Sequence, residues 1–108
     1  MKKIYVAGPY TNGDVAVNVR NAIMAADTIF SAGFIPFVPH LTHFWHLLAP
    51  RDYEDWLRLD LVWLESCDGL VRLEGESAGA DREVQRAAEL GMPIWFGLAS
   101  FLEKGSPS

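Results

Sequence analysis

Residues 3–38, KIYVAGPYTNGDVAVNVRNAIMAADTIFSAGFIPFV, decide the fold. Lys3 to Ala7 is a short apolar run with β-branched and aromatic residues. It ends at Gly8-Pro9 and reads as a buried strand. Asp14 stands at the N-cap of a helix from about Val15 to Ala32. Val15, Val19, Ala22, Ile23, Ala26, Ile29 and Phe30 recur there at helical spacing, and Gly33 stops it. Phe34 to Val38 reads as a second strand. Pro36 inside it removes a ladder donor and points to an edge position. A strand, a helix and a strand in succession form a βαβ unit, whose two strands run parallel.

The rest of the chain continues the alternation. Pro39 to Arg51 reads as a loop with three histidines and a tryptophan. Asp52 caps a helix running to about Cys67, and Gly69 to Leu73 is a third strand. Gly75 to Gly79 is a glycine-bearing loop before a helix from about Ala80 to Leu90, ended by Gly91. Pro93 to Phe96 is a fourth strand, and Ala99 to Glu103 a final helical turn. The expected fold is α/β: a flavodoxin-like (Rossmann-like) three-layer sandwich with a four- or five-stranded parallel sheet. Ligands bind such sheets beyond the carboxyl ends of the strands, so the loops at Gly8–Asp14, Pro39–Arg51 and Gly75–Gly79 are where chemistry is expected.

Composition bounds the class. The 108 residues suit one domain, 1–104, with a flexible tail at 105–108. Half the residues are hydrophobic, enough for a core. A net charge of −5 opposes partnership with a nucleic-acid polymer or an acidic membrane, both of which need a basic surface. The single cysteine, Cys67, allows no internal disulfide and fits a cytoplasmic location. The apolar run before Gly8-Pro9 is shorter than a signal segment, and no stretch is long enough for a membrane span. A chain this short buries a modest share of its surface. A homodimer or higher homo-oligomer is expected, through the aromatic-rich second helix with Trp56 and Trp63.

Several side chains carry candidate chemistry. Glu83 falls in the first turns of the third helix, where a carboxylate either faces the ligand crevice or merely complements the helix dipole. Asp60 sits in the run Trp56-Leu57-Arg58-Leu59-Asp60-Leu61-Val62-Trp63-Leu64, which is apolar nearly all round. A carboxylate there is either on a solvated face or buried for a reason. Asp68 opens the third strand. The loop Gly8-Pro9-Tyr10-Thr11-Asn12-Gly13-Asp14 is either a tight turn or an anion cradle at a helix N-terminus. His40, His43 and His46 recur every three residues. Without a cysteine nearby, they read better as a pocket wall against a heterocycle than as a metal site. No metal or cofactor is expected.

Three segments together resemble the nucleoside 2-deoxyribosyltransferase superfamily, which includes the 2′-deoxynucleoside 5′-phosphate N-hydrolases. They are Ile4-Tyr5-Val6-Ala7-Gly8-Pro9-Tyr10, then Asp60 to Asp68 as Asp-x-x-x-Leu-x-x-x-Asp, then Ser77-x-Gly79-x-x-x-Glu83. The resemblance implies Glu83 as nucleophile, Tyr5 as the residue that orients it, and Asp68 and Asp60 as acidic partners. It implies substrate binding by Gly8, Tyr10, Thr11, Asn12, Ser77 and Gly79, with His43 in the wall. Tyr10, Thr11 and Asn12 stand where the phosphate-binding hydrolases carry a Ser and an Arg. Asp81 adds a negative charge near the nucleophile.

The function so implied is that of an N-glycosidase. It would cleave a (deoxy)nucleoside 5′-monophosphate through a covalent glycosyl-enzyme on Glu83. The alternatives are a base-exchanging nucleoside 2-deoxyribosyltransferase and a non-catalytic nucleotide-binding module. The expected partner is a small-molecule nucleoside or nucleotide.

Overall fold

The computed structural model describes residues 2–104. The tail read at 105–108 lies outside them. Four strands form one all-parallel sheet in the order β2-β1-β3-β4: β1 Lys3–Ala7, β2 Ile35–Phe37, β3 Gly69–Arg72 and β4 Ile94–Phe96. This is the flavodoxin-like order over four strands, with the topological switch between β1 and β3. β2 is an edge strand and so tolerates Pro36, which pairs with Ile4 of β1.

Alternation along β1 builds the layers. Ile4 and Val6 face one side. They pack with Ala26 and Ile29 of α1 (Val15–Ser31), with Phe34, and with Phe101 of α5 (Leu98–Lys104). Tyr5 and Ala7 face the other side. They pack with Leu64 of α3 (Tyr53–Glu65) and with Ala80 and Ala87 of α4 (Ala78–Glu89). The result is a three-layer sandwich.

Asp14 caps α1 as expected, its carboxylate accepting from Val17 N at 3.1 Å. Asp52 occupies the N-cap position of α3, but its side chain makes no capping bond. The stretch read as a loop from Pro39 to Arg51 is largely helical: a 3-10 turn, Pro39–Leu41, leads into α2, Thr42–Leu48. Its β-branched, aromatic and histidine residues are weak helix formers. Bonds to the first loop and to α3 hold it instead. α4 begins at Ala78 rather than Ala80, because the Ser77 hydroxyl accepts from Ala80 N at 3.1 Å and caps the helix.

Candidate active site

The loops after β1, β2 and β3 meet at the carboxyl edge of the sheet. Asn12 Nδ2 donates to Glu76 O at 3.0 Å and ties the first loop to the third. Asn18 Nδ2 donates to the carbonyls of Tyr10 and Asn12 and fixes the first loop from α1. Gly75 has φ +112°, and a Cβ there would lie 2.7 Å from Pro9. Only glycine allows these two loops to touch so closely. Arg72 donates to the carbonyls of Leu73 and Gly75 and pairs with Asp81 at 3.1 Å, so the Asp81 charge has a partner.

Between these loops, α2, α3 and the start of α4 lies a cavity of about 670 Å³, within the usual range for a small-molecule site. Glu83 of α4 lines it and is only 6% exposed. The Tyr5 hydroxyl, rising from the fully buried core of β1, donates to Glu83 Oε2. Burial pushes the Glu83 carboxyl up to about 8. The Tyr5 hydrogen bond opposes that rise, the Asp60 charge adds to it, and Arg72 opposes it. Burial and the neighbouring Glu83 and Asp60 charges push the Tyr5 hydroxyl well above its ordinary value, so it stays a donor.

Asp60 of α3 lines the same cavity. Its Oδ1 is buried without a partner, and burial raises its carboxyl from 3.8 to about 7. Two carboxyls in one cavity, moved by burial to about 7 and about 8, mark a candidate site for proton chemistry.

A family model described as a domain of unknown function (DUF7768) matches residues 2–97. The chain belongs to this family. A solved structure, "2-desoxiribosyltransferase from Leishmania mexicana", matches with a TM-score of 0.65 at 17% identity, covering 89% of this chain and 63% of that one. This DUF7768 chain therefore spans less than two thirds of that neighbour's length, and the likeness is one of fold. Comparison with curated proteins gives no match.

The site read from the DUF7768 sequence divides on this geometry. Glu83, Asp60, Gly8, Tyr10, Thr11, Asn12, Ser77 and Gly79 all line the cavity. Tyr5 reaches it through its bond to Glu83. His43 stands behind the wall, 2.6 Å from the Tyr10 hydroxyl. Asp68 is the correction. It precedes β3 at the amino edge of the sheet, exposed, where its carboxylate accepts from Lys3 N at 2.8 Å. A residue that opens a parallel strand lies at the end opposite the ligand crevice, so Asp68 closes the β1–β3 ladder.

The three histidines also part company. His40 Nε2 bonds the carbonyls of Gly8 and Pro9, His43 bonds Tyr10, and His46 Nδ1 accepts from Trp56 Nε1 at 2.8 Å. No group of three or more metal-binding side chains converges among the described residues. No helix among them is long and apolar enough to cross a membrane.

Arg51, Tyr53, Trp56 and Arg82 line the cavity and were not read as site residues. Trp56 is expected at a dimer interface, but its indole, bonded to His46, lines the cavity instead. A Cβ on Gly79 would meet the Tyr53 hydroxyl at 3.1 Å, so this glycine lets Tyr53 close over the start of α4. No sequence signal marked Arg51 or Arg82. Their place follows from where α3 and α4 begin.

Proposed function

We propose that the protein cleaves the N-glycosidic bond of a (deoxy)nucleoside 5′-monophosphate through a covalent glycosyl-enzyme on Glu83. One observation carries this reading: Glu83 is a buried cavity carboxyl, held by the Tyr5 hydroxyl, and the half-buried Asp60 lines the same cavity. Ionised Glu83 attacks C1′ as the C1′–N bond breaks and the electron pair leaves with the base. Protonated Asp60 gives its proton to the departing base. Asp60, now ionised, takes a proton from the water that attacks C1′ and frees Glu83.

The pair must then carry one proton. With the carboxyls at about 7 and about 8, it does so near neutrality. The Tyr5 hydrogen bond and the positive charge developing at C1′ draw the negative charge onto Glu83 when the sugar is bound.

Ser77 and Gly79 at the N-terminus of α4, with Arg51 and Arg82 around them, suit a 5′-phosphate. Both arginines form exposed ion pairs, to Asp55 and Glu54, that a phosphate can replace at small cost. Trp56 supplies an aromatic face for a heterocycle. A homodimer belongs to the same reading, through the exposed Val62 and Trp63 of α3. Trp56 drops out of that surface because it faces the cavity.

The fold likeness supports a second reading, base exchange by a deoxyribosyltransferase, in which another base replaces water. The test is a panel of nucleosides and 5′-monophosphates, with and without a second free base. Base released into water alone identifies the hydrolase, and exchange only in the presence of a second base the transferase. A panel that is bound but left intact identifies a non-catalytic module and overturns both.

A further inference from the structure

Tyr10 lines the cavity, and its hydroxyl lies 2.6 Å from His43 Nδ1. The two rings meet edge-on, centroids 5.5 Å apart. His43 sits on α2, half-buried and outside the cavity lining. A phenol O–H is a stronger acid than a neutral imidazole N–H. The favoured arrangement therefore has Tyr10 donating to an unprotonated Nδ1. Burial raises the Tyr10 pKa and keeps that proton in place. With the proton committed to His43, the Tyr10 hydroxyl has only oxygen lone pairs left to offer a bound group.

His40 adds no donor to the same wall. Its Nε2 lies 3.2 Å from Gly8 O and 3.0 Å from Pro9 O, groups that only accept, so Nε2 carries the ring proton. Burial lowers the His40 pKa and favours the neutral ring. Its Nδ1 is then a lone-pair acceptor, and it is buried without a partner. This ring packs edge-on to Tyr10, centroids 6.2 Å apart. His40 Nε2 is thus committed to backbone carbonyls and Tyr10 to His43, and neither has a donor to spare.

We propose that the Tyr10–His43 pair is a specificity device that reads a hydrogen-bond donor on the heterocycle, so that the cavity takes an amino-bearing base of the adenine or cytosine type over its oxo counterpart. This rests on the nucleoside reading above. An amino group gives Tyr10 Oη the hydrogen it lacks. An oxo group sets lone pair against lone pair. Relief requires Tyr10 to turn its proton away from His43, which leaves Nδ1 unmet or shifts the ring proton onto it.

The test is calorimetric binding to the full chain carrying Glu83→Gln, which prevents turnover during the titration. The probes are deoxyadenosine against deoxyinosine and deoxycytidine against deoxyuridine, each also as its 5′-monophosphate. The amino member of at least one pair is expected to bind about tenfold tighter or more. Tyr10→Phe should bring that member down to its oxo counterpart. His43→Leu, which frees the Tyr10 proton to donate into the cavity, should abolish or invert the preference while Tyr10 itself remains. Equal binding in the parent, a preference for the oxo members, or a preference that survives either substitution overturns the proposal and leaves the nucleoside reading standing. A parent that binds none of the eight compounds overturns both.

Discussion

Glu83 and Asp60 are carboxyl groups that the fold keeps from water at a cost in stability. Their folded pKa values lie above the ordinary ones, so the folded chain holds protons that the unfolded chain has already lost. The stabilisation associated with these protons is present below the unfolded values, near pH 4, and is lost as pH rises through about 7 and about 8. Asp60→Asn keeps the shape and removes the ionisation. Its melting temperature should exceed the parent's by an amount that grows from about pH 4 to about pH 7 and levels off above. The difference between 3.8 and about 7 sets a ceiling of about 4 kcal/mol, and residual solvent access lowers it. A gap that stays constant with pH would show that Asp60 is not a buried proton holder. Glu83→Gln should lower turnover at least ~10³-fold and leave ligand affinity largely unchanged, measured with whichever substrate the panel identifies. Parent activity should peak near pH 7–8, where the pair holds one proton, and fall on both sides. The sequence made Glu83 legible because a motif and a helix start coincide there. It left Asp60 and Asp68 competing, although a strand's first residue lies at the amino edge of a parallel sheet. That geometric rule already separated them.

At the scale of elements, the start of α4 does two jobs with one residue. Ser77 caps the helix by accepting from Ala80 N, and its hydroxyl hydrogen remains free to donate to a phosphate. Ser77→Ala should therefore cost about 1 kcal/mol of stability, seen as a melting temperature lower by about 4–8 °C. The same change should weaken binding of a 5′-monophosphate and leave the unphosphorylated nucleoside unaffected. Equal weakening of both would remove Ser77 from phosphate binding and leave it the cap alone. α2 was the element least legible in the sequence. Pro39 to Leu48 has no clear apolar stripe, and His40, His43 and His46 tie it to Pro9, Tyr10 and Trp56. Local pattern rules do not register such bonds, which depend on the arrival of the first loop and α3. That omission also hid Trp56, whose orientation depends on His46.

The strand order of the whole molecule followed from alternation and one edge proline, because parallel βαβ units leave few topologies. The places of Arg51 and Arg82 on the cavity lining did not, since they follow only once α3 and α4 are placed. The distribution of the four tryptophans has a further consequence. Trp95 packs against Phe101 on the opposite side of the sheet, and Trp63 stacks on Phe37. Trp56 lines the cavity, its indole N–H tied to His46 and its ring 5.0 Å from Trp45. The chain thus carries its own optical reporter. A heterocycle stacked on Trp56 should quench or shift the emission of the intact protein, so compounds can be screened by fluorescence with no assumption about turnover. Trp56→Phe should abolish that ligand-dependent change, while Trp63→Phe should preserve it. A signal that survives the loss of Trp56 would place the bound molecule elsewhere on the surface.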